Sequence, residues 1–253
     1  MSGLELGIRT VVALVVLAAV ASLVPLLVGV RQGRAVAVAA VRGVVQLLVV
    51  GLLLGAVFRA PLAVLPVLGV MLATVVGTVG PRLAGLPVAG RRRPLAIAAG
   101  AVAGAAVTGV VVFASGALAL DPRNAVAIGG ITLGGTMTAS TLAGRRFLAE
   151  LRSRRDEVAG KLALGASMRR ATDDLVATAM REALVPALDQ TRTTGLVTLP
   201  GAFVGALLGG ASPVAAARFQ LVVLVGLLAA ESVAAVVLLY LLAEVPFLPE
   251  ATS

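Results

Sequence analysis

The chain contains no cysteine, no histidine and no tryptophan, and only one tyrosine among its 253 residues. Without cysteine there is no disulfide framework, no thiolate metal site, no iron–sulfur cluster and no catalytic thiol. Without histidine there is no imidazole proton relay. Charge is also scarce, with 13% of residues charged against 59% hydrophobic and a mean hydropathy of +1.06. Those values lie outside the range of soluble globular domains and place the chain in a membrane. The formal net charge of +9 does not point to nucleic acid, because the basic residues sit in short intervals between apolar runs and aromatic stacking platforms are missing. A phosphate loop of the GxxxxGK[ST] type is absent, so this chain has no nucleotide-binding motif of its own and is read as non-enzymatic.

What is present is a series of long uncharged runs. Seven reach the length needed to cross the hydrocarbon: 10 to 30, 35 to 58, 60 to 81, 94 to 120, 124 to 144, about 186 to 209, and 219 to 243. They are continuous rather than alternating, which excludes a β-barrel, and only helices satisfy their own backbone groups in lipid. The expected fold is therefore all-α: a polytopic membrane protein of about seven transmembrane helices forming one domain over 1–253. The first run is preceded by Glu5 and Arg9 rather than by a basic stretch, and it is expected to be retained as a span.

Arginine and lysine fix the expected orientation. If the loops 31 to 34, 82 to 93 and 145 to 185 share one side, that side holds 15 of them, against four on the other: Arg9, Arg59, Arg123 and Arg218. The richer side is the cytosol. This predicts a multi-pass protein of the cytoplasmic (inner) membrane with its N-terminus outside and its C-terminus cytosolic.

Small residues recur at helical spacing at Gly51 and Gly55, at Gly100 and Gly104, and at Gly201, Gly205 and Gly209. Such ridges let helix backbones approach closely in lipid, and close packing within one bundle is the expected use, with a homodimer seam as an additional one. Polar groups inside the spans are the candidates for a substrate pathway, since each costs free energy at depth unless it has a partner or a wet cavity. Arg42 and Gln46 are one turn apart on the second span. Asp189, Gln190 and Arg192 stand at the start of the sixth, where Asp189 and Arg192 have the spacing of a local ion pair, and Glu231 lies at the middle of the seventh. Pro200, in Thr198-Leu199-Pro200-Gly201, removes the donor for the carbonyl of Leu196 and is expected to kink or open the sixth span. The fifth span offers Thr132, Thr136, Met137, Thr138, Ser140 and Thr141, either as a hydroxyl-lined face carrying one thioether or as helix–helix hydrogen bonds.

One long polar interval interrupts these runs, from Arg145 to Leu188, with 9 Arg/Lys and 6 Asp/Glu. Within it Val158, Leu162 and Ala166 recur every fourth residue, predicting a short amphipathic helix over 152 to 168 with a stop at Gly165. A second helix is expected from Arg169 to about Val185, re-entering the membrane at Pro186. By periodicity alone the first helix fits a surface helix at the membrane interface as well as it fits a docking element.

Glu157, Ala159 and Leu164-Gly165-Ala166-Ser167, followed by Leu184-Val185-Pro186, resemble the cytosolic EAA-type loop of ABC-transporter permeases. The segments AVRGVVQLLVVGLLL, GGITLGGTMTASTL, LAELRSRRDEVAGKLALGAS and GLVTLPGAFVGALLGGASP resemble, in order and spacing over roughly 35 to 240, the iron-export (FetB-type) permease family. Plant relatives of that family act in aluminium tolerance and are linked to UDP-glucose transport. The resemblance implies a homodimeric permease subunit worked by a separate ATPase chain, which would bind ATP and Mg, while this chain binds no cofactor. It implies that 145–185 is a cytosolic coupling loop between spans five and six, with Glu157, Ala159, Leu164, Gly165, Ala166 and Ser167 as the ATPase-coupling residues. Export of an iron-like metal ion, or of a polar or anionic solute, is the implied activity. The family's methionine-rich stretch after Leu-Pro-Gly is replaced here by Gly201-Ala202-Phe203-Val204-Gly205, its Asn-Ser-Met-Met by Asp189-Gln190-Thr191-Arg192, and no family acid matches Glu231. Soft donors thus give way to ionised ones. A self-contained proton-coupled secondary transporter using Glu231 and Asp189 is the competing expectation.

Overall fold

A computed structural model of the protein describes residues 3–86 and 90–243; the expected cytosolic C-terminus, 244–253, lies outside them. The chain divides into two compact units, 1–60 and 61–253. In the first, α1 (Gly3–Leu23) ends in a 3₁₀ turn, Val24–Val28, opened by Pro25 and closed by Gly29 at φ 76°. The amide of Val30 returns to the Pro25 carbonyl at 3.0 Å, and α2 (Gly33–Val57) packs back along α1. Both helices are long and strongly apolar, a composition that suits lipid, although α2 carries Arg42 and Gln46 along its length.

The second unit comprises α3 (Val64–Arg82), α4 (Arg92–Ala114), α5 (Pro122–Ser153), α6 (Arg155–Ala163), α7 (Met168–Thr193), α8 (Gly201–Leu208) and α9 (Pro213–Ala243). Asp121 caps α5, accepting the Asn124 amide at 2.9 Å, with Pro122 at the first turn. The centre is the antiparallel pair α4 and α9. A Cβ on Gly100 would stand 2.7 Å from the Ala234 carbonyl oxygen, and one on Gly104 would strike that of Ala230. One turn further, Thr108 Oγ1 donates to the Gly226 carbonyl at 2.9 Å. The expected glycine ridge of α4 is thus a seam of close backbone approach to α9. Gly51, Gly55, Gly201 and Gly205 have no such neighbour within 4 Å of a Cβ position.

Helices α3 and α5 run parallel, with Leu68 over Gly129 and Leu83 over Gly144. The buried core is thickest at one end, where Val79, Leu83, Ile97, Phe147, Leu151, Leu175, Leu238 and Leu239 meet. That end also carries Arg82, Arg93, Arg145 and Arg152, and Arg152 lies against Gly85 of the α3–α4 turn. The loops 82 to 93 and 145 to 185 therefore sit at the same end of the second unit.

Six helices among the described residues are long and apolar enough to cross a membrane: Gly7–Val28, Gly33–Leu52, Val64–Arg82, Arg92–Ala114, Pro122–Ser153 and Pro213–Ala243. The all-α polytopic architecture is as expected. The interval 186 to 209 differs from expectation, because it is not one continuous helix. Helix α7 runs through Pro186 without stopping, held by Ala183 and Ala187, whose faces are buried. It ends instead at Thr193, where the Thr193 and Thr194 hydroxyls bond back to the Asp189 and Gln190 carbonyls at 2.8 and 2.7 Å and Gly195 turns to φ 86°. The amides of Leu196 and Val197 close on the Thr193 carbonyl, and Pro200 opens α8. The chain is therefore broken over 194–200, where a proline kink alone would have left one bent helix.

Candidate functional site

Helix α5 continues nine residues past Gly144, and α6 and α7 fold back on it as a helical hairpin. Val158 is fully buried in the core, and Leu162 and Ala166 pack against it, so the three-residue stripe read in the sequence faces inward, two of its members from α6 and Ala166 from just past the glycine stop. Gly165, at φ 89°, makes the stop, and Ser167 caps α7 by accepting the Arg170 amide at 3.4 Å. Leu164, at the hairpin tip, is 90% exposed.

Four charges close the stem of this hairpin. Arg154 forks onto Glu157 with bonds of 2.8 and 2.7 Å and also pairs with Asp174 of α7. Lys161 reaches Glu157 at 2.9 Å and Asp174 at 3.3 Å. Hydrogen bonds from Arg154 first and Lys161 second pull the Glu157 carboxyl down to about 2. The Glu157 hydrogen bond, with help from Asp174, raises Lys161 above its ordinary value, and Arg154 is raised for the same reason. For Asp174 partial burial pushes upward, but the bonds from Lys161 and Arg154 outweigh it and the net direction is down. A second link joins α5 to α7, with Arg146 on Glu150 at 2.6 Å and on Glu182 at 3.2 Å. In the first turn of α7, close to the tip, the Arg169 guanidinium stacks 4.2 Å from the Tyr240 ring centroid, joining α7 to α9.

Of the residues proposed for coupling, Glu157 lies in this stem, Ala159 is half-buried on α6, Leu164 and Gly165 form the exposed tip, Ala166 faces the core, and Ser167 is a cap. Sequence reasoning missed Asp174, Arg154 and Lys161. The spacing of Arg154, Glu157 and Lys161 on one helix face was a visible signal, whereas Asp174 is brought in only by the hairpin.

The polar residues of the spans are distributed differently. Arg42 and Gln46 belong to the first unit, where both are exposed on α2. Asp189, Gln190 and Arg192 are exposed on the last turns of α7, and Asp189 and Arg192 approach to 3.8 Å, a loose local pair. Pro200 stands at the head of α8. Thr132 and Thr136 are buried, but their hydroxyls bond the Ile128 and Leu133 carbonyls of their own helix, so they neither line an open face nor bridge helices. Thr141 also bonds its own helix at Met137, whose side chain packs partly buried against the core, but its hydroxyl accepts as well from the Arg82 guanidinium of α3 at 3.4 Å, a bond between helices. Ser140 Oγ is left buried without a partner among the described residues.

Glu231 is 6% exposed on α9. Its carboxyl occupies space that Gly135 leaves free, since a Cβ there would lie 2.6 Å from Oε1. It has no hydrogen-bond or ion-pair partner among the described residues, and no hydrogen bond or ion pair joins it to Asp189. No group of three metal-ligating side chains occurs among the described residues.

These features define a polytopic α-helical membrane protein with a salt-bridged helical hairpin at the arginine-bearing end of its second unit. The chain belongs to the family described as "Uncharacterised protein family (UPF0014)", which matches residues 8–247. Among its relatives is a rice protein named "UPF0014 membrane protein STAR2", 33% identical over 79% of this chain and 70% of its own length. The Bacillus subtilis "UPF0014 membrane protein YjkA" is 30% identical over 79% of this chain and 80% of its own. The Escherichia coli "Probable iron export permease protein FetB" is 33% identical over 54% of this chain and 53% of its own. No solved structure matches the chain.

Proposed function

We propose that this chain, acting as one permease domain over 1–253, is the membrane-spanning subunit of an ABC-type transporter, exporting an iron-like metal ion or a polar or anionic solute. The observation that carries the reading is the α6–α7 hairpin. It is anchored by Val158 in the core and by Arg169 on Tyr240, yet presents Leu164 fully to a partner. The partner is a separate ATPase that binds ATP and Mg. Its movement would enter at the hairpin tip, pass along α7 as a rigid lever and arrive at the break over 194–200. The name of the Escherichia coli relative supports the permease reading and the metal as a candidate cargo.

In this reading two copies assemble in the cytoplasmic membrane, N-termini outside and C-termini in the cytosol. The exposed Asp189, Gln190 and Arg192 then line a path between them, because charges left exposed on a membrane-facing helix need a wet cavity or a second chain. Arg42, Gln46, Thr132, Thr136, Met137 and Pro200 are the remaining candidates for substrate contact. The test is reconstitution with an ATPase encoded beside the chain. Stimulation of ATP turnover by iron, other metals or nucleotide sugars supports the reading, and its loss in Leu164→Asp locates the contact. An ATPase that neither binds nor responds removes it.

A second reading, proton-coupled transport without an ATPase, is favoured by the partnerless buried Glu231. It expects uptake driven by a pH gradient in liposomes holding this chain alone, abolished in Glu231→Gln. Transport unchanged by that substitution from about pH 5 to about pH 8 disposes of it.

A further inference from the structure

The four stem charges form a closed ring. Each cation touches both carboxylates and each carboxylate touches both cations: Arg154 with Glu157 and Asp174, Lys161 with Glu157 and Asp174. Three members belong to α6 and its cap, at spacings of three and four residues that put them on one face, and only Asp174 belongs to α7. Besides this ring, α6 is held by one fully buried side chain, Val158, and by the partly buried Ala159 and Leu162, and it ends at a glycine turn with φ 89°. A nine-residue helix with so little buried surface does not hold a fixed orientation on packing alone.

We infer that Asp174 is the positioning residue of the hairpin, and that Glu157 acts with it inside the chain, clamping α6 to α7, rather than as a contact for the partner protein. The inference rests on the coupling role proposed above and reassigns one of its residues. Both carboxylate oxygens of Glu157 are taken by intrachain cations, at 2.7 to 2.9 Å, whereas Leu164 at the tip has nothing over it. Docking therefore falls to the tip, and the ring transmits what the tip receives. A hairpin whose two arms are pinned by a bidentate guanidinium and a bridging ammonium moves as one body. Without Asp174, the two cations remain on α6 and pair with Glu157 alone, and the arm is released from α7.

The chain's lack of cysteine allows a direct test on the purified permease in nanodiscs, with no ATPase present. A nitroxide attached at Leu164→Cys reports motion of the tip. Asp174→Asn is expected to raise the mobile fraction of its spectrum at least threefold, Asp174→Glu to restore it, and Arg170→Gln, outside the ring, to leave it unchanged. Glu157→Gln combined with Asp174→Asn is expected to be no looser than Asp174→Asn alone, because a ring opens once. Raising salt from about 0.05 M to about 0.5 M is expected to loosen the wild type toward the Asn variant, since exposed pairs are screened. A tip equally immobile in Asp174→Asn, or loosened as much by Arg170→Gln, overturns the inference, whatever an ATPase later does. A tip that loosens as expected while no ATPase binds the wild type keeps the clamp and removes only the coupling reading. Thermal unfolding of each variant, expected within a few degrees of wild type, keeps a loosened tip distinct from a misfolded chain.

Discussion

At Gly104 the α4 backbone lies against the Ala230 carbonyl so closely that a single methyl has no place, and the same holds one turn away at Gly100. Gly104→Ala is therefore expected to lower stability by about 1–3 kcal/mol, as overpacking does in a filled core. Gly109→Ala, where nothing lies within 4 Å, is expected to be neutral or to stabilise by up to about 1 kcal/mol. Unfolding in detergent, followed by far-ultraviolet circular dichroism, checks both. Thr108→Val tests the neighbouring interhelical bond to Gly226, with an expected loss of about 0.6 kcal/mol, the usual size of such bonds in membrane proteins. The spacing of Gly100 and Gly104 announced a close approach but not its partner. The hydroxyls of Thr132 and Thr136 were legible as polar and misleading as to use, because a threonine in a helix can satisfy itself on the turn behind it.

The hairpin is an element whose stability depends on acid. Glu157 has a folded value of about 2 against an ordinary 4.5, and Asp174 is shifted the same way. A depressed carboxylate contributes stability that is present above its ordinary value and lost as pH falls toward the folded one. Lys161 and Arg154 are raised, so their share is present below their ordinary values and lost only in strong alkali. The hairpin is accordingly expected to hold from neutrality down to about pH 4.5 and to weaken progressively from there toward pH 2. Pepsin, active across that range, is expected to cut at Leu162 and Leu164 more readily as pH falls, relative to its own rate on an unstructured peptide, and Glu157→Gln is expected to flatten the curve. Gly165→Val strains the turn at φ 89° and is expected to cost about 1–2 kcal/mol. Periodicity revealed both arms of the hairpin and its glycine stop. It did not reveal that the apolar stripe of Val158, Leu162 and Ala166 faces inward, since a stripe has the same spacing whether it meets its own core or another protein.

For the whole molecule, arginine counting and the structure bear on one another: the α3–α4 turn and the α6–α7 hairpin, assigned to one side by charge, lie at one end of the second unit. With cysteine absent, single cysteines report sidedness directly. Leu164→Cys is expected to react with an impermeant maleimide only from the cytosolic face, and Leu120→Cys, exposed at the opposite end of α4, only from outside. Reaction of both from the same face contradicts the orientation. The long spans were legible because length and apolarity suffice to define them. The interval 186 to 209 was not, because its mean hydropathy conceals a polar helix end, a glycine turn and a helix of eight residues.

That interruption bears on how the protein is made. The six long helices carry enough apolar length to leave the translocon for lipid on their own account. Residues 184–208, with Asp189 and Arg192 exposed and the backbone broken at 194–200, do not. They would enter the bilayer only after α5 and α9 are in place, drawn in by α7 packing on both and α8 on α9. Biogenesis would then have a late step, in which the segment nearest the proposed path is assembled last and depends on helices made before and after it. A glycosylation reporter fused beyond residue 210 is expected to show this segment failing to insert alone and inserting when α5 and α9 are present in the same chain.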